Sequence, residues 1–216
     1  MADGFTVAAY RTIATAAEQR IIIKKSEFIG YASPVTTEQE AAVFIETIRK
    51  KHWDATHNCS AYVIGEYQEL QRSSDDGEPS GTAGKPILEV IKKRQLTNVA
   101  IVVTRYFGGI MLGAGGLIRA YGQSAAAGID AAGVVLRSLH QQIIATVDYT
   151  WVGKLENELY AKGYTITDST YTDKVTFTIL TKCGEEAPLH TLLMDATNGQ
   201  VELKKGTTIY VDSPID

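Results

Sequence analysis

Only two cysteines, Cys59 and Cys183, occur in 216 residues, far apart and without disulfide or metal-ligand spacing. That excludes a disulfide-stapled secreted scaffold, and a reducing, cytoplasmic setting is expected. No apolar run approaches the roughly 18–20 residues of a membrane span, so no membrane partner is expected. The opening stretch, MADGFTVAAYRTIATAA, lacks the basic start and continuous apolar centre of a secretory leader. Internal repeats and low-complexity segments are missing too. So are the common nucleotide loops. Gly84-Lys85 is followed by Pro86 where a Walker loop needs Ser or Thr, and Ile118 stands where a Rossmann turn needs its third glycine. What remains is 44% hydrophobic and 21% charged. That is the balance of a globular chain long enough to bury its own core.

The net charge of −4 hides an uneven distribution. Residues 1–138 hold 15 Lys+Arg against 14 Asp+Glu, and residues 139–216 hold 6 against 11. Within the first part, Gly65–Ser80 carries Glu66, Glu69, Asp75, Asp76 and Glu78 against Arg72 alone. Lys85–Arg119 then carries Lys85, Lys92, Lys93, Arg94, Arg105 and Arg119 against Glu89 alone. Such local charge blocks describe either solvated faces or a site.

The patterning predicts two α+β domains, 1–138 and 139–216. Two β-rich runs open the chain, Thr12–Ala17 and Arg20–Ala32, the second long enough for one strand bending near Gly30. Thr36 or Thr37 caps a helix through His52, with Gln39 or Glu40 completing a capping box. Cys59–Gly65 reads as a strand, Arg72–Gly84 as a turn-rich loop, and Pro86 opens a short helix. The next strand, Thr97–Thr104, is apolar on both alternating faces and should be central and covered twice. A helix rich in Ala and Gly follows from about Gly116 to Ala132, small enough on one side to pack very close to a sheet. Beyond residue 142 the order is βαββαβ, the ferredoxin-like order, with Leu155, Leu159, Leu192 and Leu193 expected to face its sheet.

The segment Gly108–Gly116 has five glycines in nine residues, between the central strand and a helix start. Glycine lets backbone approach a ligand, and free N–H groups at a helix N-terminus favour an anion. Lys85, Arg105 and Arg119 flank it. The candidate phosphate or nucleic-acid site is therefore Lys85, Arg105, Tyr106, Phe107, Gly108, Gly109, Gly113, Gly115, Gly116 and Arg119, with Tyr106 and Phe107 available for base stacking. A second set is His57, Asp75, Asp76 and Glu78. Its closely spaced carboxylates suit the oxygen shell of Mg²⁺, although an Asx-rich turn accounts for them without a metal. No cofactor is expected unless the protein is an enzyme. His57 and Cys59, two apart on a strand, do not form a nucleophile–base dyad.

Gly84-Lys85-Pro86, Val99–Val103, Thr104–Gly109 and Leu112-Gly113, with His57, Asp75–Pro79 and Gly81–Gly84 upstream, resemble the signature of the IMPACT/YigZ family, in its bacterial branch. The resemblance spans nearly the whole chain. It implies an N-terminal domain like the second domain of small-subunit ribosomal protein five, and a C-terminal domain like the last domain of elongation factor G. Eukaryotic members act in translational control; the extra N-terminal region they carry is not found here, so their partner is not carried over. Two functions follow as expectations. One is a non-catalytic binder of RNA or of a translation or ribosome component. The other is a phosphotransferase or hydrolase acting on a phosphorylated small molecule with Asp75, Asp76, Glu78 and Mg²⁺. The acidic C-terminal domain, a poor phosphate binder, is expected to contact protein.

Overall fold

A computed structural model describes residues 8–215. Part of the stretch read above as lacking a leader, residues 1–7, lies outside the described residues, as does Asp216. The contacts divide the chain into residues up to Arg137 together with the tail from Asp212, and a second unit, Ser138–Val211. The chain is a mixed α+β protein with two sheets.

The first unit runs β1 (Ala9–Ile13), β2 (Ala17–Ile23), β3 (Ser26–Pro34), α1 (Glu38–Lys51), β4 (His57–Ile64), β5 (Leu70–Ser74), α2 (Gly84–Lys93), β6 (Val99–Tyr106) and α3 (Ala114–Ala132). Its main sheet has the order β2-β3-β6-β4-β5 with every neighbouring pair antiparallel. β6 is central and covered on both faces, as its sequence predicts. Val99, Ile101 and Val103 pack with Phe28, Ile87, Leu117 and Ile129 in the core under α2 and α3. Ala100 and Val102 face the α1 side, in clusters with Ala41 and Ile48. α1 begins where its caps require. The Thr37 hydroxyl accepts from the Glu40 N–H at 3.2 Å, and the Glu40 carboxylate accepts from the Thr36 N–H at 2.6 Å.

The single bent strand expected over Arg20–Ala32 is instead a hairpin, β2 to β3, turning at Lys24 and Lys25. Both lysines have left-handed backbone, φ 45° and 64°, the geometry of a tight primed turn that usually calls for Asn or Gly. Gly30 is not a bend. It lies within β3 where α3 crosses, and a Cβ there would sit 2.1 Å from the Ser124 carbonyl oxygen. Gly128 presses back, a Cβ there falling 2.8 Å from the Gly30 oxygen. The small-residue face of α3 therefore lies directly on the strand. α3 also begins two residues earlier than its pattern suggests, so Gly115 and Gly116 belong to its first turn.

The second unit takes β7 (Val134–Val147), which begins in the first unit beside β1, then α4 (Val152–Ala161), β8 (Thr165–Tyr171), β9 (Val175–Lys182), α5 (Glu186–Ala196) and β10 (Glu202–Pro214). The strand order β10-β7-β9-β8 with two crossover helices is ferredoxin-like. Leu155, Leu159, Leu189 and Leu193 are buried with Ile143, Phe177 and Ile179. Leu192 is only half-buried, and Leu189 takes the place expected of it.

Candidate functional site

The acidic loop folds inward onto the first unit, and each of its carboxylates has a donor. Asp75 accepts from the N–H groups of Gly81, Ala83 and Gly84 at 2.8, 3.0 and 2.8 Å, filling the N-terminus of α2. Burial raises the pKa of Asp75, but these three bonds outweigh it and hold the carboxyl below its ordinary 3.8. Asp76 takes the Asn58 N–H at 2.6 Å and the Arg49 guanidinium at 2.9 Å. Glu78 is buried, and its Oε1 receives Arg105 Nη1 at 2.5 Å and the Tyr121 hydroxyl at 2.8 Å. His57 closes the cluster. Its Nδ1 donates to the Asp76 carbonyl at 2.8 Å, and its Nε2 faces Glu78 at 3.9 Å. Among the described residues no group of three or more His, Cys, Asp or Glu is arranged to hold a metal ion.

Arg105 is therefore not the exposed phosphate clamp its position suggested. It is 6% exposed, paired with Glu78 and flanked by the rings of Phe28 and Phe107, each 5.5 Å from the guanidinium carbon. The second candidate set, His57, Asp75, Asp76 and Glu78, is brought together with it as an internal lock. Cys59 belongs to the same interior. Burial pushes its thiol up to about 12, and it donates to the Asp75 carbonyl at 2.9 Å, so it is no nucleophile. Tyr106 leaves the set as well. Its hydroxyl donates to Asp54 at 3.0 Å and accepts from His52 Nδ1 at 2.8 Å, in the cluster beneath α1. Burial and the charge of Lys51 lower the His52 pKa. A neutral ring then accepts from Tyr31 at 2.6 Å through Nε2.

The glycine turn remains open. Gly108 backs onto the hairpin, where a Cβ would lie 1.9 Å from the Lys25 carbonyl oxygen, and its N–H donates to Ser26 Oγ at 3.1 Å. Phe107 donates its N–H to Thr56 Oγ1 at 3.0 Å while half of its surface stays exposed. Gly113, with φ +71°, is the N-cap of α3 and has no side chain to cap it. No acidic residue lies in the first turn of α3. Arg119 instead folds back over that turn, its Nη1 3.7 Å from where a Cβ of Gly115 would stand. Neither Lys85 nor Arg119 has an ion-pair partner among the described residues, and both are exposed. Lys24 and Lys25 at the hairpin tip are the cations that the sequence reading missed. Two lysines between apolar runs were the signal, hidden because such turns are expected to carry glycine or asparagine.

The fold and this surface define a class: a two-unit α+β protein with a cationic, glycine-built helix start on one unit and a ferredoxin-like second unit. The model of the Impact N-terminal domain matches residues 24–129, and that of a domain of unknown function (DUF1949) matches residues 146–200. The IMPACT family member YvyE of Bacillus subtilis is 49% identical over 207 residues, covering 96% of this chain and 95% of that protein. An IMPACT family member from the pol 5' region of Thermus thermophilus is 38% identical over 83% of this chain and 98% of its own length. A crystal structure of a hypothetical protein aligns over 92% of this chain and 97% of that one, with 30% identity and a TM-score of 0.60. The chain belongs to the IMPACT family.

Proposed function

We propose that the protein is a non-catalytic RNA binder working with the translation machinery, and that RNA phosphate docks at the start of α3. The observation that carries this reading is an unbalanced charge. The positive end of α3 has no acidic cap, and Arg119 lies over it rather than a carboxylate. A cation at a helix N-terminus is unfavourable until an anion joins it. Exposed Phe107 and Met111 offer apolar surface for bases beside it. The family resemblance implies domains like those of a ribosomal protein and an elongation factor, and a ribosomal setting fits that expectation. The enzyme alternative loses its machinery, because Asp75, Asp76 and Glu78 are committed to internal donors. The second unit, with six Lys against nine Asp+Glu in Ser138–Val211, we assign to protein contact.

Fluorescence anisotropy with a labelled single-stranded RNA tests the docking site. Arg119→Ala should weaken binding by about 1.5–3 kcal/mol and lower the salt slope by roughly one counterion. Its unfolding midpoint should stay at the wild-type value. Unchanged RNA affinity in Arg119→Ala, with wild-type protein binding well, rejects the site.

A further inference from the structure

On the α1 side of the sheet lies a cavity, independent of the glycine turn. α1 packs on β6 and β4, and the edge strand β5 extends the sheet beyond the helix. Along α1, Ala42, Ile45, Glu46 and Arg49 follow the i, i+3, i+4, i+7 spacing of one stripe. On the sheet, Ser60 and Tyr62 pair across to Ser74 and Arg72, and alternation puts all four on one face. These residues, with Ser73, line a cavity of about 490 Å³. That volume falls within the roughly 300–1,000 Å³ of small-molecule sites.

The walls divide by chemistry. Arg72 is exposed and pairs with no carboxylate among the described residues; its Nη1 reaches only the Gln71 carbonyl, at 3.3 Å. The Ser60 hydroxyl has no hydrogen-bond partner among the described residues although the residue is only 4% exposed, and the Ser74 hydroxyl accepts the Asp76 N–H at 3.3 Å and keeps its own proton to donate. Arg49 is held by Asp76 and contributes no free charge, while its Nε is buried without a partner. Glu46, the one carboxylate on the wall, stands 3.8 Å from Lys50. Ala42, Ile45 and the ring of Tyr62, whose hydroxyl donates to Glu38 at 2.6 Å, make the apolar side. One unpaired guanidinium and two hydroxyls on the sheet, with the Tyr62 ring beside them and Ala42 and Ile45 of α1 across from them, suit a ligand that joins a phosphate to a flat body.

We infer that this cavity binds a small phosphate monoester of mononucleotide size. Arg72 and the hydroxyls of Ser60 and Ser74 take its phosphate, and Ile45 and the Tyr62 ring take its body. The test titrates the full chain with AMP, adenosine and inorganic phosphate, followed by calorimetry and by backbone amide shifts. AMP should saturate with shifts confined to residues 60–62, 72–74 and α1, and adenosine and phosphate should each bind about tenfold or more weakly. Arg72→Ala should weaken AMP by a similar factor, and Arg72→Lys should recover part of it. Ala42→Trp, on the exposed side of α1, should abolish binding by filling the mouth. Arg119→Ala should leave AMP binding unchanged, which separates this site from the RNA surface. The inference is overturned if AMP does not saturate at millimolar concentration, or if its affinity is unchanged in folded Arg72→Ala or Ala42→Trp protein. It is also overturned if adenosine or phosphate binds as tightly as AMP, or if Arg119→Ala removes the binding.

Discussion

Two helices of the first unit begin in the same way and end up electrostatically opposite. α2 starts after Ala83 and α3 after Gly113, and neither cap residue has a side chain that bonds the helix. At α2 the chain supplies the missing anion itself, since Asp75 reaches nine residues ahead to the Gly84 N–H. At α3 it supplies Arg119 instead. Orphan amides at a helix start always need an acceptor. One terminus is completed by folding and has become structure, whereas the other has no acidic side chain in its first turn and is the anion site proposed above. The same comparison explains why an acidic loop precedes a basic segment. The loop's charges are spent inside, on α2, Arg49 and Arg105, and the segment's remaining cations face outward.

The largest test of this division lies at Glu78. Glu78→Ala strands the buried Arg105 guanidinium and the Tyr121 hydroxyl, and should cost about 3–5 kcal/mol in urea unfolding. A loss under about 1 kcal/mol would mean the lock contributes little, and Arg105 would return as a binding candidate. Next comes Asp75→Ala, which uncaps α2 and should cost about 2 kcal/mol at neutral pH. Because folding holds the Asp75 pKa below 3.8, its contribution is complete above that value. It fades as pH falls through the folded value. The gap between wild type and Asp75→Ala should therefore close in acid, and a gap independent of pH would contradict the capping role. The smallest effect sharpens the comparison most. Ala114→Glu gives α3 the acidic first turn that it lacks, and should raise stability by about 0.3–1 kcal/mol. RNA binding should fall at the same time. If stability drops, the start of α3 is already satisfied and is no anion site.

Spacing within one element accounts for much of the fold, though not for the β2–β3 hairpin. The two-faced β6, the cap of α1 at one of Thr36 and Thr37, which the structure places at Thr37, and the βαββαβ order of the second unit all follow from local spacing. Failures came where a residue's role depends on something distant. Arg105 looked like a free cation because nothing nearby in sequence opposes it; its partner, Glu78, lies 27 residues away. Tyr106 and Phe107 are neighbours, and strand alternation sends them to different surroundings. The Lys24-Lys25 turn was missed because left-handed lysines carry no compositional mark. Membership of the family was legible from motif residues, and several of those residues, Asp75, Glu78 and Arg105 among them, prove to hold the fold together.

The contact between Gly30 and Gly128 has a consequence for recognition. With backbone against backbone there, no side-chain layer lies between α3 and the sheet that could slide or repack. The first half of the helix is held differently, by the buried side chains of Leu117 and Tyr121. If the start of α3 is the RNA site proposed above, its backbone is built before RNA arrives. Under that proposal association spends little free energy on ordering the protein, and differences in affinity between RNAs would fall on how long they stay rather than on how fast they land.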